Sequence, residues 1–178
     1  MDLQTYLTNA VQAERTKELA NSPQLLLGEI ILKLEQVSNK DLPLFIDIRE
    51  VRPRSIESWR GRYAELAITT ESDGSYQTEE VEQKFDDGDI FYKHKSFGKE
   101  NPSVAEFIEI LKEAQGKTFT GYKGDDFLMS KNTPVWLAEY GESSFKINDK
   151  NDYEGVYFID VREEKDKVYL ITKTEKDA

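Results

Sequence analysis

The sequence predicts an α+β fold in which helices cover one face of a mainly antiparallel sheet. Three observations predict it. Apolar residues recur at helical spacing in Leu27, Ile30, Ile31 and Leu34, and again in Val104, Phe107, Ile108 and Leu111. Short apolar and aromatic runs alternate with breaks of Gly, Pro, Asn and Asp. The two helical patterns also stand 77 residues apart, with Glu29 and Glu106, Trp59 and Trp136, and Tyr63 and Tyr140 at the same offset. A Trp-x-x-x-Tyr pattern at one distance after two equivalent helices argues for two related helix–strand–loop–strand units. The length, 178 residues, suits one domain or two small units sharing a core.

In chain order, residues 1–21 form an N-terminal amphipathic helix, with Leu3, Tyr6, Leu7, Ala10 and Val11 on one face and Asp2 at its positive end. It packs on the body, or alternatively mediates dimerisation or partner binding. The first unit is 22–70. Its helix starts after Ser22-Pro23, a break at Asn39-Lys40-Asp41 follows, and 42–48 and 63–70 read as strands. Residues 71–100 form an acidic connector or hairpin. The second unit, 101–178, starts its helix after Asn101-Pro102 and ends it near Gly116. Residues 117–122 and 134–140 are its strands, and 153–162 with 167–174 form a closing hairpin around Glu163-Glu164-Lys165-Asp166. The pattern leaves open whether the units stand side by side or share one sheet.

Composition narrows the function. The chain carries 35 Asp+Glu against 24 Lys+Arg, a net charge of -11, yet its 38% hydrophobic residues are spread widely enough to bury a core. No apolar run approaches the ~20 residues of a membrane span, and the first residues lack a secretory pattern, so a cytoplasmic protein without membrane partners is expected. The absence of cysteine excludes disulfides and thiol catalysis, and the single histidine, His94, excludes a His–His metal motif within one chain. His94 lies between Lys93 and Lys95 with no nucleophile beside it, so no catalytic constellation stands out. The sequence calls for no cofactor or metal. Asp125-Asp126 and Asp86-Asp87-Gly88-Asp89 do not follow calcium-loop spacing.

Two local compositions are unusual. Residues 71–90 hold Glu71, Asp73, Glu79, Glu80, Glu82, Asp86, Asp87 and Asp89 against Lys84 alone, net -7 of the total -11. This stretch reads as a solvated connector or as an acidic prong that mimics nucleic-acid phosphate. In the latter reading Glu79, Glu80, Glu82, Asp86, Asp87 and Asp89 contact the partner. The second is Arg49, Arg52, Arg54, Arg60 and Arg62 gathered around Trp59. Guanidinium groups beside an indole suit phosphate-bearing ligands, with Lys123 of Gly121-Tyr122-Lys123-Gly124 as a further cation. Alternatively these arginines neutralise Glu50, Glu57, Glu65 and the acidic segment within the molecule.

Residues 116–129 (Gly-Lys-Thr-Phe-Thr-Gly-Tyr-Lys-Gly-Asp-Asp-Phe-Leu-Met), the run Thr133-Pro-Val-Trp-Leu-Ala-Glu-Tyr-Gly141 and Trp59-Arg-Gly-Arg-Tyr63 together resemble small acidic accessory proteins of phages and mobile elements. Such proteins include inhibitors of bacterial defence, among them anti-CRISPR proteins directed at Cas9. Residues 107–129 are also similar to phage sponges that sequester cyclic nucleotides. The first resemblance implies a non-enzymatic inhibitor in the host cytoplasm that binds a basic, nucleic-acid-handling host protein. The alternative is a binder of nucleotide or RNA, or a weak nuclease, working through the arginine loop.

Overall fold

The computed structural model describes residues 23–59, 64–70, 82–84, 90–92, 101–120, 125–139, 145–148, 150 and 152–177, together with Leu3; 82–84 and 90–92 are described by backbone alone. The expected N-terminal helix therefore lies outside the described residues apart from Leu3, as does most of 71–100.

The two helical patterns fold as expected. Helix α1 spans Leu27–Glu35 and buries Leu27, Ile30, Ile31 and Leu34. Helix α2 spans Val104–Ala114 and buries Val104, Phe107, Ile108, Leu111 and Ala114. Among the described residues twelve strands follow in chain order: β1 (Leu44–Ile46), β2 (Ser55–Ser58), β3 (Leu66–Thr70), β4 (Glu82–Lys84), β5 (Ile90–Tyr92), β6 (Thr118–Thr120), β7 (Asp126–Leu128), β8 (Val135–Glu139), β9 (Phe145–Lys146), β10 (Tyr153–Glu154), β11 (Val156–Glu163) and β12 (Val168–Thr174). Six form one sheet in the order β1-β12-β11-β8-β3-β2, and the others pair as three two-stranded ribbons, β4-β5, β6-β7 and β9-β10.

This is an α+β architecture with a mixed central sheet. The pairs β2/β3, β8/β11 and β11/β12 and the three ribbons are antiparallel, whereas β1/β12 and β3/β8 are parallel. Each parallel pair joins a strand from before residue 71 to one from after residue 134, so both halves of the chain build one sheet. Leu44, Ile46, Leu66, Ile68, Val135, Leu137, Val156, Phe158, Val168 and Leu170 meet the buried faces of α1 and α2 in one core. Removing each such side chain from water contributes about 1.5–3 kcal/mol, so this layer holds the fold together.

Both helices start on the same device. The Leu27 and Gly28 amides donate to the Thr133 and Lys131 carbonyls at 2.9 and 2.8 Å. The Val104 and Ala105 amides donate to the Leu42 and Lys40 carbonyls, both at 3.0 Å. Each acceptor segment is a Lys-x-x-Pro run leading into a strand, Lys40 to Pro43 before β1 and Lys131 to Pro134 before β8. A helix leaves its first amides without internal partners, and here a neighbouring backbone supplies them. Gly28 is needed there, because a Cβ would lie 2.7 Å from the Lys131 Cβ and 3.1 Å from its carbonyl oxygen.

The tryptophans that share the 77-residue offset occupy different strand positions. Trp59 follows the end of edge strand β2, whereas Trp136 is the second residue of the interior strand β8. By position after its proline, Trp136 matches Phe45 of β1. The β6–β7 hairpin, which follows α2 and has no counterpart between α1 and β1, accounts for the altered spacing.

Candidate functional site

The sheet face opposite the main core carries a second cluster. Trp59 and Trp136 stack with ring centroids 4.4 Å apart and planes at 20°, and Tyr157 meets Trp136 edge-on at 6.0 Å. Ala67 of β3, which pairs with Trp136 on one side and Glu57 on the other, leaves room for the two indoles to meet. Trp136 Nε1 donates to the Glu65 carboxylate at 3.1 Å, and Glu65 is only 3% exposed. Trp59 Nε1 is also buried but has no hydrogen-bond partner among the described residues. A second aromatic group lies toward the other edge, where Phe45 and Tyr169 stand 6.0 Å apart. Arg162 lies over the Tyr169 ring at 5.1 Å, and Lys167 lies over Phe45 and Tyr169 at 5.8 and 5.4 Å.

The arginine segment begins in a tight turn after β1. Arg49 and Glu50 have φ of 54° and 50°, the left-handed region that crowds a Cβ against the following carbonyl. Three side chains tie this turn to other strands. Asp47 Oδ1 accepts from the Thr172 amide at 3.1 Å and the Thr172 hydroxyl at 2.6 Å. The Glu50 carboxylate accepts from Tyr169 OH and from Lys167 Nζ, the latter at 3.3 Å. Arg49 donates to the Lys146 carbonyl at 3.2 Å. The Tyr169 hydrogen bond, then Lys167, holds the Glu50 carboxyl below the usual carboxylate range, and Tyr169 with Glu50 holds the Lys167 ammonium above its ordinary value.

The predicted site residues divide by what the structure describes. Arg54 is 5% exposed, its amide donates to Thr69 O at 2.7 Å, and Arg49, Arg52 and Arg54 all make interactions within the chain. Trp59 offers its face to Trp136. Arg60, Arg62, Lys123, Glu79, Glu80, Asp86, Asp87 and Asp89 lie outside the described residues, and Glu82 is placed by backbone only, opposite Tyr92 in the β4–β5 ribbon. Sequence reasoning missed Lys167, Tyr169 and the role of Glu50. The hairpin was the available signal, since its turn sets Arg162 opposite Tyr169. Among the described residues no group of three His, Asp or Glu could hold a metal ion, and no helix is long and apolar enough to cross a membrane.

A groove of about 630 Å³ runs between α1 and α2, lined by Ile31, Leu32, Lys112, Gln115 and Lys131 among others. Leu32 is 62% exposed on it, and Lys112 is held by Glu35 at 3.3 Å. No protein-family model, curated protein or solved structure matches the chain.

Proposed function

We propose that the protein is a non-enzymatic interaction protein, an anti-defence factor of phage or mobile-element type. In this reading it occupies a basic, nucleic-acid-handling surface of a host effector such as Cas9, in the host cytoplasm. One observation carries the reading: eight acids against a single lysine in residues 71–90, on a stretch whose strands β4 and β5 pair with each other and not with the six-stranded sheet. A ribbon outside the main sheet is a natural carrier for charge that a core would reject. We also infer that the scaffold is a twice-used unit. The shared 77-residue helix register and the matching Lys-x-x-Pro acceptors at the two helix starts support it.

A second reading, a binder of phosphate-bearing ligands through Arg49, Arg52, Arg54, Arg60, Arg62, Trp59 and Lys123, draws support from the left-handed turn at Arg49. Strained backbone clusters at functional sites. Charge reversal separates the two. The immobilised chain is challenged with host lysate, with and without nuclease, and then with purified Cas9–guide RNA in a DNA-cleavage assay. Replacing Glu79, Glu80, Glu82, Asp86, Asp87 and Asp89 by Lys abolishes capture and inhibition, whereas Arg52→Glu, Arg60→Glu and Arg62→Glu together preserve them. Retained binding in the acid-reversed chain, or captured material that nuclease removes, overturns the first reading and favours the second.

A further inference from the structure

Side-chain-bearing residues stay left-handed only where their surroundings over-determine the backbone. The turn after β1 has two of them in succession, at positions where Asn-Gly would sit without strain. Within the turn, Ile46 N reaches Val51 O at 2.9 Å, Glu50 N reaches Asp47 O at 3.2 Å, Val51 N reaches Ile48 O at 3.4 Å, and Ile48 N reaches the Asp47 carboxylate at 2.8 Å. Further restraints leave the turn. Asp47 anchors its first residue to Thr172, and Glu50, inside the strained pair, reaches Tyr169 and Lys167 on and beside β12.

Tyr169 is a firm anchor. It is 8% exposed, pairs across β11 with Arg162, and has Arg162 and Lys167 over its ring. Glu50, by contrast, is more than half exposed, so solvent can compete for its carboxylate. A strained backbone whose second left-handed residue is tied by one exposed carboxylate to a fixed partner has the parts of a bistable element.

We infer that the Arg49–Glu50 turn is a latch: Glu50 docked on Tyr169 and Lys167 keeps the strained turn shut, and its release opens residues 48–51 and shifts Arg52, which lies ahead of the Arg54 amide held by Thr69 O. The inference rests on neither functional reading above, because its geometry is set by contacts within the chain among the described residues.

Hydrogen exchange of single amides tests it, with rates corrected for neighbouring side chains. Glu50→Gln and Tyr169→Phe speed exchange at Ile46 and Val51 about tenfold or more, while Leu44, bonded to Pro102 O, changes less than about threefold. The double variant Arg49→Asn with Glu50→Gly also lacks the carboxylate but carries no strain. Its Ile46 and Val51 amides stay within about threefold of the parent. If the Asn-Gly variant opens as far as Glu50→Gln, the carboxylate is not restraining strain and the latch is refuted. Unchanged Ile46 and Val51 rates in Glu50→Gln refute it as well. So does equal acceleration at Leu44, which marks a general loosening of the sheet.

Discussion

At the start of α1 two amides donate to Thr133 and Lys131, and at the start of α2 two amides donate to Leu42 and Lys40. Both helices end on a glutamine whose amide donates to the carbonyl four residues back at 3.2 Å, but the segments beyond are held differently. After α1, the Glu163 carboxylate collects the Ser38 hydroxyl and amide and the Asn39 amide, at 2.5, 3.1 and 3.2 Å. After α2, Gly116 turns at φ 84° and its amide donates to Met129 O at 2.8 Å, backbone to backbone. The starts are alike because each helix meets a Lys-x-x-Pro segment leading into a strand of the sheet. The segments beyond the ends differ because each leads into a different structure, β1 of the main sheet in one case and the β6–β7 ribbon in the other.

The comparison breaks most severely in the core. Ile30 and Phe107 sit at equivalent places on α1 and α2, and both are fully buried. Ile30→Ala and Phe107→Ala are each expected to cost about 3–5 kcal/mol in urea unfolding, through lost burial plus the cavity left behind. If one is tolerated and the other unfolds the chain, the two helices do not share the core equally.

The tryptophans come next. Trp136→Phe removes the indole donor from a buried carboxylate and is expected to cost about 2–3 kcal/mol. Trp59→Phe keeps a ring against Trp136 and surrenders an N–H that serves nothing among the described residues, so about 1 kcal/mol or less is expected. Equal losses in denaturant unfolding would mean that Glu65 gains little from the indole.

These pairs also mark what could be read from sequence. The helix faces were legible because their period is local, and the hairpin of β11 and β12 because its acidic turn lies between adjacent strands. The sheet order was not. Ala67 pairs with Trp136, and Leu44 with Val168, through contacts that no neighbouring residue announces. The Trp59–Trp136 offset suggested equivalent places, and the indoles do meet, but from strands of different position. In the candidate site, the arginine cluster was visible as composition. The tie between Glu50 and Tyr169 was not, since the two lie 119 residues apart and only the β1/β12 pairing brings them near.

The helix caps give a smaller effect. Ser103 Oγ accepts from the Glu106 amide at 3.1 Å, and Glu106 returns to the Ser103 amide at 3.0 Å. At α1, Glu29 returns to the Leu26 amide at 3.0 Å, but Leu26 has no side-chain acceptor. Ser103→Ala is expected to cost about 1 kcal/mol. Leu26→Ser supplies the missing half of the box and loses some half-buried apolar contact, so a change within about 0.5 kcal/mol is expected by thermal unfolding.

The smallest effect separates the helix ends by pH. Glu163 sits below its ordinary 4.5 because the Ser38 hydroxyl, then the Ser38 and Asn39 amides, favour its charged form. A carboxyl lowered in the folded state stabilises above its unfolded value, and that stabilisation is lost as pH falls through the folded one. Acid therefore loosens the end of α1 and leaves the backbone-held end of α2 alone. In an NMR titration, the Ser38 and Asn39 amide signals are expected to shift together with a midpoint below 4.5 while Gly116 stays still. Asp160, also lowered, titrates nearby through the Val161 amide and Lys33, so Glu163→Gln is the needed control. It should abolish the Ser38 and Asn39 shifts and leave those of Val161. If Gly116 moves with them, acid is acting on the whole sheet and the two helix ends are not independently held.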